Sequence, residues 1–148
     1  MKIMRKAQSG FSLVSAIFLL VVIAALGTFA VTLSTTQQQS AALDVMGSRA
    51  YQASRAGIEW GAYQVLRNPG AGFELACNPG GGGGAAAQVI APLPNTLSVF
   101  NVNVVCNSFA NNEAGVIVTL YRLTSTAQQG VAGTPDFVER QISVSIAR

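Results

Sequence analysis

The chain contains no histidine. That excludes catalysis through Ser-His-Asp or Cys-His arrangements and metal sites built on imidazole. Cysteine is nearly absent too: two residues, too few for a structural zinc site without histidine and not in the C-x-x-C spacing of a redox pair. Charged residues make up 10% of the 148, far below the usual share. The acids are Asp44, Glu59, Glu74, Glu113, Asp136 and Glu139, and no two are placed with a partner for acid–base work. Asp136 and Glu139 lack the further oxygen ligands that calcium requires. No enzymatic activity and no cofactor is therefore expected. The net charge of +3 does not mark a nucleic-acid surface. Lys2, Arg5 and Lys6 lie in the first ten residues, and from residue 11 onward six bases balance six acids.

What the chain has instead is apolar residues, 50% of the total, which excludes a solvated disordered polymer. They are unevenly spread. From Phe11 to Leu33 no residue is charged and eighteen of 23 are apolar. A helix of that length covers about 34 Å, slightly more than a hydrocarbon core of ~30 Å. Ser12, Ser15, Thr28 and Thr32 are compatible with lipid because a hydroxyl can bond the preceding turn. The three leading bases place the N-terminus in the cytoplasm and the remainder across an inner membrane, as a single pass. An ordinary secretory signal has a shorter apolar core followed by a small-residue cleavage site. Here the run leads into TLSTTQQQSAALD, a polar continuation, and no cysteine near it offers a lipid anchor.

The unusual junction lies ahead of the apolar run, at Ser9-Gly10-Phe11-Ser12-Leu13. With its short basic leader, Gly10-Phe11-Ser12-Leu13-Val14 resembles the prepilin signal of type IV pilins and type II secretion pseudopilins. The resemblance implies cleavage between Gly10 and Phe11 by a prepilin peptidase, N-methylation of Phe11, and retention of the apolar segment as a polymerisation helix. Most pilins carry a Glu at the fifth mature position, where this chain has Ser15. In the family that carboxylate is thought to neutralise a neighbouring subunit's terminal ammonium. A charge inside lipid costs at least ~2.5–3.5 kcal/mol, so a subunit with no neighbour above it does better without one. Ser15 thus points to a tip or priming subunit.

Residues 34–67 lack proline and show a small-residue stripe at helical spacing (Ala42, Ala50, Ala53, Ala56, Gly57, Gly61). We read 11–33 as the transmembrane half and 34–67 as the amphipathic half of one helix of roughly 55 residues. Interior glycines cost about 1 kcal/mol each against Ala, and imply close approach to another backbone. Arg55 and Glu59, four apart, either pair or form a solvated face. The stretch from Ala53 to Gly61, with Ala-Gly-Ile-Glu-Trp-Gly, resembles the MshP group, minor pilins of the mannose-sensitive haemagglutinin system, and more loosely the PilX group. Tyr121 to Ala127 and Glu139 to Val144 also resemble the MshP pattern. Trp60 is expected to be a packing anchor.

Asn68-Pro69-Gly70 ends the helix. Residues 68–96 read as a Gly-rich loop, with Gln88 to Ala91 a possible additional strand; the run Gly80 to Gly84 is not a phosphate loop, since no Gly-Lys-Ser/Thr follows. Residues 97–148 read as an antiparallel head of three strands. In the first, Phe100, Val102, Val104 and Cys106 share a face. In the second, Val116, Val118 and Leu120 alternate with Ile117, Thr119, Tyr121 and Leu123. In the last, Val138, Ile142, Val144 and Ile146 share a face. The fold expected is α+β and pilin-like, a long helix packed on a small antiparallel sheet. Cys77 and Cys106, an even count outside the cytoplasm, are expected to form one disulfide.

These expectations describe a structural minor pilin of an MSHA-like type IV pilus, acting in assembly or cell adhesion. Its partners would be other minor pilins, the major pilin, the prepilin peptidase, the inner-membrane assembly platform and the bilayer, with no nucleic acid. It would pass from the inner membrane, head in the periplasm, to the pilus or cell surface. Two alternatives remain open: a type II secretion pseudopilin, and an uncleaved single-pass protein with a periplasmic binding domain.

Overall fold

The computed structural model describes residues 11–90 and 92–148, with side chains from residue 13 onward. The leader 1–10 therefore lies outside the described residues. Helix α1 runs unbroken over Phe11–Arg67, 57 residues. Helix α2 follows at Gly72–Cys77. Four strands complete the chain: β1 (Gly84–Ile90), β2 (Asn101–Glu113), β3 (Val116–Gln129) and β4 (Val138–Ala147). They form one antiparallel sheet in sequence order, each strand paired with the next. The architecture is the expected α+β layout.

Two compact units divide between Ala42 and Leu43. The first consists of α1 alone among the described residues, and every side chain from Leu13 to Ala42 is exposed. Five of its hydroxyls bond back onto the helix. Thr28, Thr32, Thr35, Thr36 and Ser40 each donate to a carbonyl three or four residues back, at 2.7–2.9 Å for the shortest bond of each. A hydroxyl bonded this way needs no water and tolerates apolar surroundings.

The second unit holds the core. The rest of α1 lies on the sheet through Gly47, Ala50, Ala53, Ser54, Gly57, Gly61 and Val65, all buried. Six of these seven are Gly, Ala or Ser, so the helix backbone comes close to the strands. A methyl added at Gly57 would collide with the Ser125 hydroxyl and stand 2.8 Å from Val102 Cγ1. One added at Gly61 would lie 3.2 Å from Val104 Cγ1 and 3.4 Å from Leu123 Cδ1. Beneath the stripe, Val102, Val104 and Cys106 of β2 and Tyr121, Leu123, Ser125 and Ala127 of β3 are buried. On β3 the covered phase is thus the Tyr121–Leu123 one, while Arg122 points to the open face. Val138, Ile142, Val144 and Ile146 share that covered face on β4 and are buried or half-buried. Trp60 packs against the core, its ring 5.0 Å from that of Phe73.

The structure departs from the sequence reading in two places. Residues 68–96, expected as a loop, contain α2 and β1, and β1 begins at Gly84 rather than Gln88. The glycines supply the turn, with positive φ at Gly80, Gly81 and Gly83, and the three alanines after them pair with β2. The sheet accordingly has four strands. β2 also runs on past Cys106, the last residue of the face expected for that strand, to Glu113; the turn is only Ala114 and Gly115, both at positive φ, and Glu113 pairs directly with Val116. A two-residue turn of that conformation matches strand twist, so both strands extend to it.

The helix–sheet contact yields a stability test. Gly57→Ala gains about 1 kcal/mol of helix propensity but forces a clash of roughly 2–3 kcal/mol against two strands. The net expectation is a loss of about 1–2 kcal/mol. At Gly47 the added methyl meets only the mobile end of Arg140, at 3.2 Å from Nη2, so Gly47→Ala should be neutral or stabilising. Urea unfolding of the detergent-solubilised chain followed by tryptophan fluorescence reads both.

Candidate functional site

Two features of the structure bear on function. The first is the apolar surface of the first unit. Thirteen large apolar side chains between Leu13 and Leu33 are exposed, from 36% at Val22 to 68% at Leu20. Transferring that many side chains from water to an apolar medium is worth roughly 20–40 kcal/mol, more than the whole stability of an ordinary domain. Water is therefore not their working solvent. The helix is long and apolar enough to cross a bilayer. Ser15 is exposed within this run. Of the pair expected to flank a cleavage site, Gly10 lies outside the described residues and Phe11 is described by its backbone alone, as the first residue of α1.

The second feature lies in the head. Cys77 at the end of α2 is joined to Cys106 of β2, with Cα atoms 5.8 Å apart and both residues fully buried. The bridge joins residues 29 apart in sequence, a closure worth roughly 3–4 kcal/mol in the chain-entropy description. Around it runs a polar network. The Tyr121 hydroxyl donates to Glu74 Oε1 at 2.5 Å, and the Gly70 N–H donates to Glu74 Oε2 at 2.6 Å. Asn78 Nδ2 donates to the Tyr121 oxygen at 3.0 Å, while Asn78 Oδ1 accepts from the Gly83 N–H at 2.9 Å. Ser108 donates to the Cys77 carbonyl at 2.7 Å and accepts from the Gly84 N–H at 3.0 Å.

α2 sets the spacing: Glu74, Cys77 and Asn78 fall three and four residues apart, on one side of a helix. Pro69 breaks α1, and Gly70, at positive φ, turns the chain into α2. An open hollow of about 700 Å³ borders the network, lined by Leu75, Gly80, Thr119 and Arg148 among others. Glu74, Asn78 and Tyr121 also line that hollow; Glu74 is 4% exposed and each of its oxygens accepts a hydrogen bond. The chemistry of this cluster is that of a clasp holding the segment after α1 to the sheet.

Glu74, Asn78 and Tyr121 were not singled out from the sequence. A signal was there: Glu74 is the sole charged residue between Arg67 and Glu113. A lone acid in so uncharged a stretch needs a partner if it is buried. Arg55 and Glu59 do pair, at 3.0 Å, on an exposed helix face where such a bond contributes little. Among the described residues no group of three or more His, Cys, Asp or Glu side chains is placed to hold a metal. No family model, curated protein or solved structure matches the chain.

Burial, and then the hydrogen bond to Glu74, push the Tyr121 hydroxyl above its ordinary value of 10.0, partly offset by Asn78 and Arg148. The folded state thus favours the protonated phenol. That contribution to stability is fully present below about pH 10 and is lost as pH rises through the raised value. An ultraviolet phenolate titration should contain a component above the ordinary phenol range that Tyr121→Phe removes, and the parent chain should lose unfolding stability over the same interval.

Proposed function

We propose that the chain is a structural minor pilin. It inserts in the inner membrane through Phe11–Leu33 with its head in the periplasm, is processed between Gly10 and Phe11 with methylation of the new terminus, and joins the tip or priming complex of an MSHA-like type IV pilus. Its partners in this reading are other minor pilins, the major pilin and the assembly platform.

The observation that supports this reading is the continuity of α1. A helix with an uncharged, wholly exposed apolar stretch continues without a break into the residues that pack on the antiparallel sheet. A secretory signal is discarded, and a simple anchor needs no such continuity. A polymerisation helix needs both halves, one to leave lipid for neighbouring helices and one to carry the head. Packing and polar contacts drive that transfer, since lipid already solvates an apolar helix. The serine and threonine hydroxyls bonded back onto α1 suit both surroundings. Ser15 in place of the usual Glu removes a charge that a subunit at the top of a fibre has no neighbour to neutralise.

Shearing fibres from cells carrying a matching peptidase and assembly system tests the proposal. The parent chain should be found, leader removed, in the sheared fraction, and Gly10→Val should leave it in the membrane at full length. Processing without release would point to the secretion pseudopilin. Gly10→Val chains that are trimmed and sheared like the parent would refute the assigned junction.

A further inference from the structure

The two edges of the sheet are built differently. The β4 edge carries Glu139 and Arg140, with Asp136 just before it. Arg140 lies on the face that α1 covers, its guanidinium beside Gly47. Charged side chains on an edge strand, above all one turned inward, discourage another strand from joining. β1 has none of this. No residue from Leu75 to Asn112 is charged, and β1 contains no proline. Val89 is 51% exposed, and no residue of β1 is fully buried. β1 pairs with β2 on one side, and among the described residues no loop backbone bonds to it on the other. α2 packs against one face of β1, with the Cys77 carbonyl and Pro79 beside Gly84, but a regular seven-residue edge without charge, proline or a bonded loop along it is an open site for strand addition.

We propose that this edge pairs antiparallel with β1 of a second copy, joining two four-stranded sheets into one about a two-fold axis at Ala87. The size order along the strand selects this occupant. Gly84, Ala85 and Ala86 precede the axis; Gln88, Val89 and Ile90 follow it. Antiparallel self-pairing about Ala87 sets Gly84 opposite Ile90, Ala85 opposite Val89, and Ala86 opposite Gln88. Each small residue off the axis then meets a larger one, and at the axis Ala87 meets its own copy. Ala85, Ala87 and Val89 meet on the open face, and the others on the face shared with buried Val102, Val104, Cys106 and Ser108. Parallel pairing would stack small on small and large on large. Self-pairing also sets a residue against its own kind at the axis, which an uncharged strand tolerates and a charged one does not. The inference rests on the head alone and does not depend on the fibre reading.

Single cysteines in the full-length chain, oxidised in the membrane, test both partner and register. Opposed residues in an antiparallel pair have Cα atoms about 4.5–5.5 Å apart, within disulfide reach. Ala87→Cys should form a homodimer. Ala85→Cys and Val89→Cys should each stay monomeric alone and form a mixed dimer when present together. Ser143→Cys on β4 should not cross-link. Ala87→Lys, which opposes two like charges, should abolish the dimer seen by native mass analysis while the Cys77–Cys106 bridge stays closed, showing that the head is folded. Monomeric Ala87→Cys, its capture of a different protein, equal cross-linking through Ser143→Cys, or Ala85→Cys dimerising with itself would each overturn the proposal.

Discussion

The close approach of α1 to β2 and β3 is the constraint on which the rest of the structure depends. Gly57 and Gly61 leave no side chain between the helix backbone and Val102, Val104, Leu123 and Ser125. That proximity fixes which phase of each strand is covered. It also explains why a helix tolerates two interior glycines that cost it propensity. The same helix carries the apolar run at its other end. Whatever solvates that run is thus covalently continuous with the element around which the head is packed. Among the described residues the buried Ser125 hydroxyl, close beneath Gly57, finds no hydrogen-bond partner.

The segment after α1 would be loosely held without its clasp. It is rich in glycine and alanine and offers few large apolar groups beyond Phe73. Two kinds of fastening substitute for core volume: the Cys77–Cys106 bond, and the bonds linking Glu74, Asn78, Tyr121 and Ser108. They join residues 29 to 47 apart in sequence, and in doing so they seat α2 and deliver β1 to the sheet.

How far the sequence could be read follows from which interactions are local. The span of α1 was legible because charge-free length, helical spacing and Asn68-Pro69-Gly70 are local signals. The disulfide followed from counting, with two cysteines on one side of the apolar run. Alternation located β2, β3 and β4, but on β3 both phases are partly apolar, and only the position of α1 decides between them. β1 was largely hidden because Gly-Gly-Ala-Ala-Ala has little strand propensity and owes its conformation to pairing with β2. The Glu74–Tyr121 contact is non-local, and composition marks only the acid.

The functional reading joins a chemistry-poor composition to a helix whose apolar half cannot be left in water. In the proposed reading that helix serves support and assembly. Its central claim is that residues 11 onward are kept while residues 1–10 are removed. Intact-mass analysis of the chain recovered from membranes of a peptidase-competent cell measures this directly. The expected mass is that of a chain starting at Phe11 with one added methyl group and one disulfide. A mass that retains Met1 to Gly10 would contradict the pilin account and leave an anchored ectodomain in its place.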